Sequence, residues 1–226
     1  MNNAIDIQNN QDLAFFGKIN ANISHELKNI LAIISETAGL LNDLTVLAEK
    51  GKKIDMDMFR TCSQDIEEEI QRGFATVKQM NTFSHSVDTS VKSVNLLNIL
   101  KLMINIAGFL SYASKTRVNA PQDAELMILT CPYQLQHLIY QVLVVAFKTT
   151  GTGEEIQISI YPEKNGDVRI IFSDLGELYD EKFPIDKILA IAASIDVKIF
   201  IADDFQTFDL LIPEAIKTVT MMGAHD

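Results

Sequence analysis

Cysteine and basic charge are both scarce in this chain. The 226 residues carry two cysteines, and 19 Lys and Arg stand against 30 Asp and Glu. The formal charge of −11 and a pI near 4.8 repel phosphate backbones and anionic lipid, so nucleic-acid and membrane-surface roles are disfavoured. Cys62 and Cys131 lie far apart and form no CxxC or Cys/His metal spacing, so free buried thiols are expected and no metal site. His85 and His137 show no neighbouring acid pattern or second ligand at metal spacing, and read as ordinary surface or core histidines. No run of roughly 18 apolar residues stands out, and MNNAIDIQNNQD lacks a basic stretch leading into an apolar one. The expectation is a cytoplasmic protein without a membrane segment.

A 47% hydrophobic content is enough for one large core or two small ones. Phe16, Ile19, Ile23, Leu27, Leu31, Ile34, Ala38 and Leu41 recur at steps of three and four and predict one long amphipathic helix. The polar break EKGKKIDMD, residues 49–57, ends that helix at Gly51 and starts a second. Phe59, Cys62, Ile66, Ile70, Phe74, Val77, Met80 and Val87 continue the spacing, which predicts an antiparallel hairpin. Two helices bury too little alone, so two hairpins are expected to pair as a dimeric four-helix bundle.

Beyond residue 88 the pattern changes. Apolar helices are predicted over 94–113 and 133–149 with a short strand, ELMILT, between them. Alternating strands follow around Ile156–Ile160 and Val168–Phe172, joined by a turn at Asn165 and Gly166. A helix near 184–195 precedes the strand pair VKIFIA and FQTFDLLIP. The fold class is a helical hairpin followed by an α+β sandwich with one mixed sheet. The domains read as 1–88, 89–213 and a tail or short helix over 214–226.

Within the first helix stands Ser24-His25-Glu26-Leu27-Lys28-Asn29. This stretch, in a helical hairpin ahead of an α+β sandwich, resembles the H-box of the sensor histidine kinases. That resemblance spans nearly the whole chain. It implies a dimerisation and phosphotransfer (DHp-like) hairpin with His25 as phosphoryl acceptor, followed by a domain like the kinases' GHKL ATPase fold. At 100° per residue His25 sits about 200° from Ile23, so its imidazole is expected in solvent, among Lys18, Asn22 and Asn29. Glu26 is expected to orient the ring for attack, and Lys28 to contact a phosphoryl oxygen. Ala32 and Glu36 are expected to face a docked partner.

The ATP site of that family is expected to be degenerate. In LQHLIYQVLVVAFKTTGTGEEIQI the family's metal-binding asparagine falls on Val145 and an earlier asparagine on Gln141. Valine offers no oxygen to magnesium. The family's Asp-x-Gly-x-Gly turn reads Asp174-Leu175-Gly176-Glu177-Leu178, and no glycine follows until Gly223, although the second phosphate-cradling turn belongs in that interval. Asp174 and Gly176 are left as a turn after the strand.

The likeness is then to ChpT-type histidine phosphotransferases. It implies that His25 takes a phosphoryl group from one response-regulator receiver domain and passes it to another, with no autokinase activity. No cofactor is expected on this chain, the Mg2+ being the receiver's, and ATP is not expected to bind. Two alternatives stay open: a receiver phosphatase that positions water with Asn29, or a non-catalytic dimeric adaptor.

Overall fold

The computed structural model describes residues 2–110, 112–121, 125–151, 153–176, 185–203 and 206–217, with side chains from residue 10 onward. The chain divides into two compact units, Met1–Thr82 and Phe83–Asp226, where the sequence placed the boundary at 88/89.

The first unit is a hairpin of α1 (Asn2–Glu49) and α2 (Met56–Ser84). Gly51 ends α1 in the left-handed region, φ 76°. The Lys52 N–H donates to Leu47 O (3.1 Å) and the Gly51 N–H to Ala48 O (2.9 Å), the Schellman pattern of a glycine-terminated helix. Asp55 opens α2, its carboxylate accepting from the Asp57 N–H at 3.0 Å.

The buried line along α1 differs from the predicted seam. It runs Ile19, Ile23, Glu26, Ile30 and later Leu44, and on α2 Cys62 and Thr76 are buried too. A Cβ on Gly73 of α2 would lie 3.7 Å from Ile30 Cγ2. Leu27 is only half-buried and Leu31 is 64% exposed. The reason is helical phase: three steps of four from Ile19 to Leu31 drift about 120°, whereas 19–23–26–30 drifts only about 20°. Each helix therefore carries a second, outward stripe. On α1 it is Leu27, Leu31, Ile34 and Ala38; on α2 it is Ile70, Phe74 and Val77, of which Phe74 is 67% exposed.

This composition has a further consequence. By length and composition Asn10–Glu49 is apolar enough to cross a membrane, with a mean hydropathy of 1.5 in its most apolar window. The sequence reading expected no such stretch. Its apolar residues are interspersed with isolated polar ones, so no unbroken run marks it.

The second unit opens with a short 3-10 turn, His85–Val87. Strand β1 (Lys92–Asn95) pairs antiparallel with β3 (Met127–Thr130) as a separate two-stranded sheet. Between them lie α3 (Leu96–Ala107) and β2 (Lys115–Asn119). Asn95 caps α3, its side chain accepting from the Asn98 N–H at 3.2 Å. The predicted helix 94–113 is thus shorter at both ends, and both β1 and β2 escaped prediction. KSVN and KTRVN are too polar and too short to show a buried alternation, and pairing with β3 and β4 makes them strands.

After α4 (Pro132–Thr150) come β4 (Glu155–Pro162), β5 (Val168–Ser173), α5 (Asp186–Ser194), β6 (Lys198–Ile201) and β7 (Phe208–Ile212). The main sheet has the order β2-β4-β5-β7-β6, mixed because β2 pairs parallel with β4. Cross-strand rows Ile158–Phe172–Phe208 and Ile160–Ile170–Leu210 are buried, and Phe172 stacks on Phe208 at 4.8 Å. Helix α4 packs against α3, α5 and β4, and its buried residues fill the middle of this core. The opposite sheet face is polar, with Arg117–Glu155 at 3.0 Å and Asn119 donating to Gln157 at 3.0 Å.

The turn at Asn165 and Gly166 is present, with Gly166 at φ 88°. The start of the expected tail belongs to this unit. Glu214 O accepts from the Leu129 N–H (2.7 Å), the Ile216 N–H donates back to Leu129 O (3.0 Å), and Ile216 is buried. The rest of that tail, with His225, lies outside the described residues, as do residue 184 of the predicted helix and Asp204 between the final strands.

Candidate functional site

His25 lies on the exposed side of α1, about 100° from the inward line through Glu26. Lys28, Asn29, Ala32 and Glu36 are exposed with it. Asn29 is within hydrogen-bond reach of the ring: its carboxamide nitrogen lies 3.3 Å from His25 Nδ1. A carboxamide nitrogen donates, so in this orientation Nδ1 accepts and the ring proton sits on Nε2. A half-turn of the amide presents Oδ1 instead, which accepts from Nδ1–H and frees the Nε2 lone pair. Asn29 can thus hold either tautomer of the imidazole.

The expected role of Glu26 needs correction. Its carboxylate does not reach the imidazole; it is 6% exposed and forms an ion pair with Arg72 of α2. Adjacent residues on a helix diverge by about 100°, so an outward His25 sends Glu26 toward the hairpin interior. Arg72 also donates to both Glu69 oxygens, at 3.1 and 3.2 Å. Burial works against the Arg72 charge, but Glu26 and then Glu69 outweigh it and raise the guanidinium above its ordinary pKa. Sequence reasoning missed Arg72. The available signal was the turn at Gly51, which, folded back, brings the 70s of α2 beside the 20s of α1.

In the second unit, Val145 is half-buried on α4 and presents no oxygen. The Gln141 amide nitrogen is 3.2 Å from His137 Nε2, which therefore accepts. His137 is fully buried, and burial, with Lys187 adding to it, pushes its pKa down to about 3. It stays neutral. Asp174 is exposed with φ 60°, a left-handed residue at the end of β5. Gly176 lies so close to α4 that a Cβ would sit 2.0 Å from the Thr149 carbonyl oxygen. That close approach accounts for the glycine by packing alone. Glu177 and Leu178 lie outside the described residues.

His85 also departs from its reading. Its Nδ1 lies 2.8 Å from Asp88 Oδ2, an acid three residues on that the sequence inspection passed over, and both are exposed. Among the described residues, no group of three or more His, Cys, Asp or Glu is arranged to hold a metal. Cys62 is a buried free thiol as expected, and Cys131 a half-buried one.

No family model matches the sequence, and no curated protein matches it. Solved structures similar to it include histidine kinases and their domains. The Acinetobacter baumannii histidine kinase AdeS is 11% identical with a TM-score of 0.46, covering 84% of this chain and 98% of that one. The catalytic domain of histidine kinase ThkA is 12% identical with a TM-score of 0.45, covering 57% of this chain and 100% of that one. The cytoplasmic segment of histidine kinase QseC is 17% identical with a TM-score of 0.42, covering 64% and 94%.

Proposed function

We propose that this chain is a histidine phosphotransfer protein of two-component signalling. His25 takes a phosphoryl group from the aspartyl phosphate of one receiver domain and passes it to the aspartate of another, without autokinase activity. The observation that carries this reading is an exposed imidazole on a long helix whose Nδ1 is engaged by Asn29. With Asn29 Oδ1 accepting from Nδ1–H, the Nε2 lone pair attacks phosphorus in line and the receiver's aspartate leaves as carboxylate. Transfer onward reverses the same steps. Lys28, exposed one helical turn from His25, is placed to meet phosphoryl charge. Such chemistry needs only an oriented ring and a docking surface from this chain, the receiver bringing its own Mg2+.

An ATP-independent reading is supported by Val145, which cannot ligate magnesium, and by Gln141, whose amide is engaged with His137. The outward stripes support a homodimer. Leu31 and Phe74 are each well over half exposed, and covering them with a second hairpin makes a four-helix bundle. Exposed Glu36 and Asp43 in the same stretch of α1 favour a protein partner over a lipid one. The proposed setting is the cytoplasm.

A second reading has one observation behind it. Asn29 is exposed beside His25 and can orient water toward a receiver's aspartyl phosphate, making the chain a phosphatase. Incubation with a labelled phospho-receiver decides between them. Label on His25, lost in His25→Ala, is the expected result. Free phosphate with no labelled histidine supports the phosphatase, and neither product leaves an adaptor.

A further inference from the structure

Helix α1 offers two apolar lines to α2, about 70° apart. One is Ile23 and Ile30 with Glu26 between them; the other is Leu27 and Leu31. Hydrophobic burial is non-directional, and leucine packs as well as isoleucine, so apolar area alone chooses poorly between the two. The choice matters, because turning α1 from one line to the other swings His25 by the same angle. What distinguishes the lines is a single carboxylate. Glu26 is almost wholly buried, and a buried charge is tolerated only where a partner meets it. Arg72 meets it from α2, and Glu69 holds the rest of the guanidinium at 3.1 and 3.2 Å, so the fork itself is fixed. In the other rotation Glu26 leaves Arg72 behind.

We propose that Arg72 is a positioning residue which, through Glu26, selects one rotation of α1 and so fixes the direction in which His25 is presented to a receiver. The pair acts as a register pin, a role for which buried polar groups in helical bundles are suited because only one alignment satisfies them. Its part in transfer rests on His25 being the phosphoryl acceptor; its part in setting the rotation does not.

The discriminating variant is Glu26→Leu with Arg72→Leu. A buried ion pair replaced by well-packed apolar residues is commonly as stable or more so, so the double variant is expected to melt at or above the parent. Its rotation is read by pulsed electron spin resonance on full-length chain labelled at the exposed positions 35 and 65. Cys62 and Cys131 are replaced by Ala in parent and variant alike, and labelled chain is diluted in unlabelled chain. The parent is expected to give one narrow distance and the leucine pair a broadened or second one, with receiver-driven labelling of His25 falling at least ten-fold. One narrow, unchanged distance overturns the proposal, as does labelling at the parent rate despite a broadened one. If the parent itself is never labelled on His25, the phosphotransfer reading falls and the distances still decide the pin. Should the leucine pair fail to fold, Arg72→Lys serves instead. It keeps the charge but cannot hold two carboxylates with a planar fork, so broadening is expected and an unchanged peak counts against the pin.

Discussion

At the residue scale, the chemistry proposed for His25 turns on which ring nitrogen carries the proton. Asn29 contacts the ring, and its amide can donate to Nδ1 or accept from it. Replacing Asn29 with Ala removes both options. Receiver-driven phosphorylation of His25 is expected to slow by roughly ten- to a hundred-fold, the range for losing a partner that fixes a histidine's tautomer and orientation. Asn29→Asp, which only accepts, is expected to retain transfer, and ring 15N shifts of His25 should show the Nδ1–H tautomer. Equal loss in both variants would remove Asn29 from the mechanism.

His137 makes a different prediction at the same scale. Its folded pKa, about 3, lies below the ordinary value of 6.5, so above pH 6.5 neither folded nor unfolded chain binds the proton and stability is undiminished. As pH falls from 6.5 toward 3 the unfolded chain takes up a proton that the folded one refuses. Stability then drops, on the order of 1 kcal/mol per pH unit from this group. Unfolding of wild type and His137→Gln, compared between pH 7 and 4, should give a shallower acid slope in the variant. Parallel slopes would mean the ring is solvated or protonated in the fold. His25, His85 and His137 were all visible in the sequence. The exposure of His25 was legible from its place on the helix, and the Asp88 contact of His85, only three residues away, could have been; the burial of His137 was not, because it depends on which elements pack over α4.

At the scale of elements, two glycines separate backbone freedom from packing. Gly51 has φ 76° and open space where a Cβ would go. Gly51→Ala is expected to cost about 1 kcal/mol, the strain of a left-handed alanine alone. Gly176 has its Cβ position filled by the Thr149 carbonyl. Gly176→Ala must move the turn after β5 away from the Thr149 carbonyl and should cost about 1–3 kcal/mol. Denaturant melts of the two variants test the order; a costlier change at Gly51 would contradict it. The first glycine was legible from the polar break around it. The second was read only as a turn residue, since its constraint comes from a helix carbonyl 27 positions earlier in the chain.

The helical seam shows the same division. Steps of three and four announced α1 and α2, and the turn between them. Several chains of threes and fours can be threaded through α1, and the one through Leu27 and Leu31 drifts off the buried face. Which chain is covered was settled by α2, whose Arg72 accepts Glu26 into the interior.

At the scale of the whole molecule, the outward stripes predict association. Phe74→Glu places a charge in the middle of the α2 stripe, where the native side chain is 67% exposed in the single chain. The variant is expected to sediment as a monomer while keeping the helical signal of the wild type, which should sediment as a dimer. A monomeric wild type would withdraw the bundle and leave the stripes to another partner. Loss of receiver-driven labelling in the monomer would tie docking to the paired form.

The sequence by itself determined the helical hairpin, the α+β unit after it, the mixed sheet's principal strands and the outward His25. Each follows from local periodicity, capping and turn chemistry that neighbouring residues write without help. Only the tertiary structure decided that Glu26 turns inward to Arg72 and that Asn29 takes its place at the imidazole. It also decided that KSVN and KTRVN are strands and that Gly176 is held by a close approach. Those outcomes depend on which partner surface arrives from a distant part of the chain, and a buried charge or a missing Cβ has no meaning until that surface is in place.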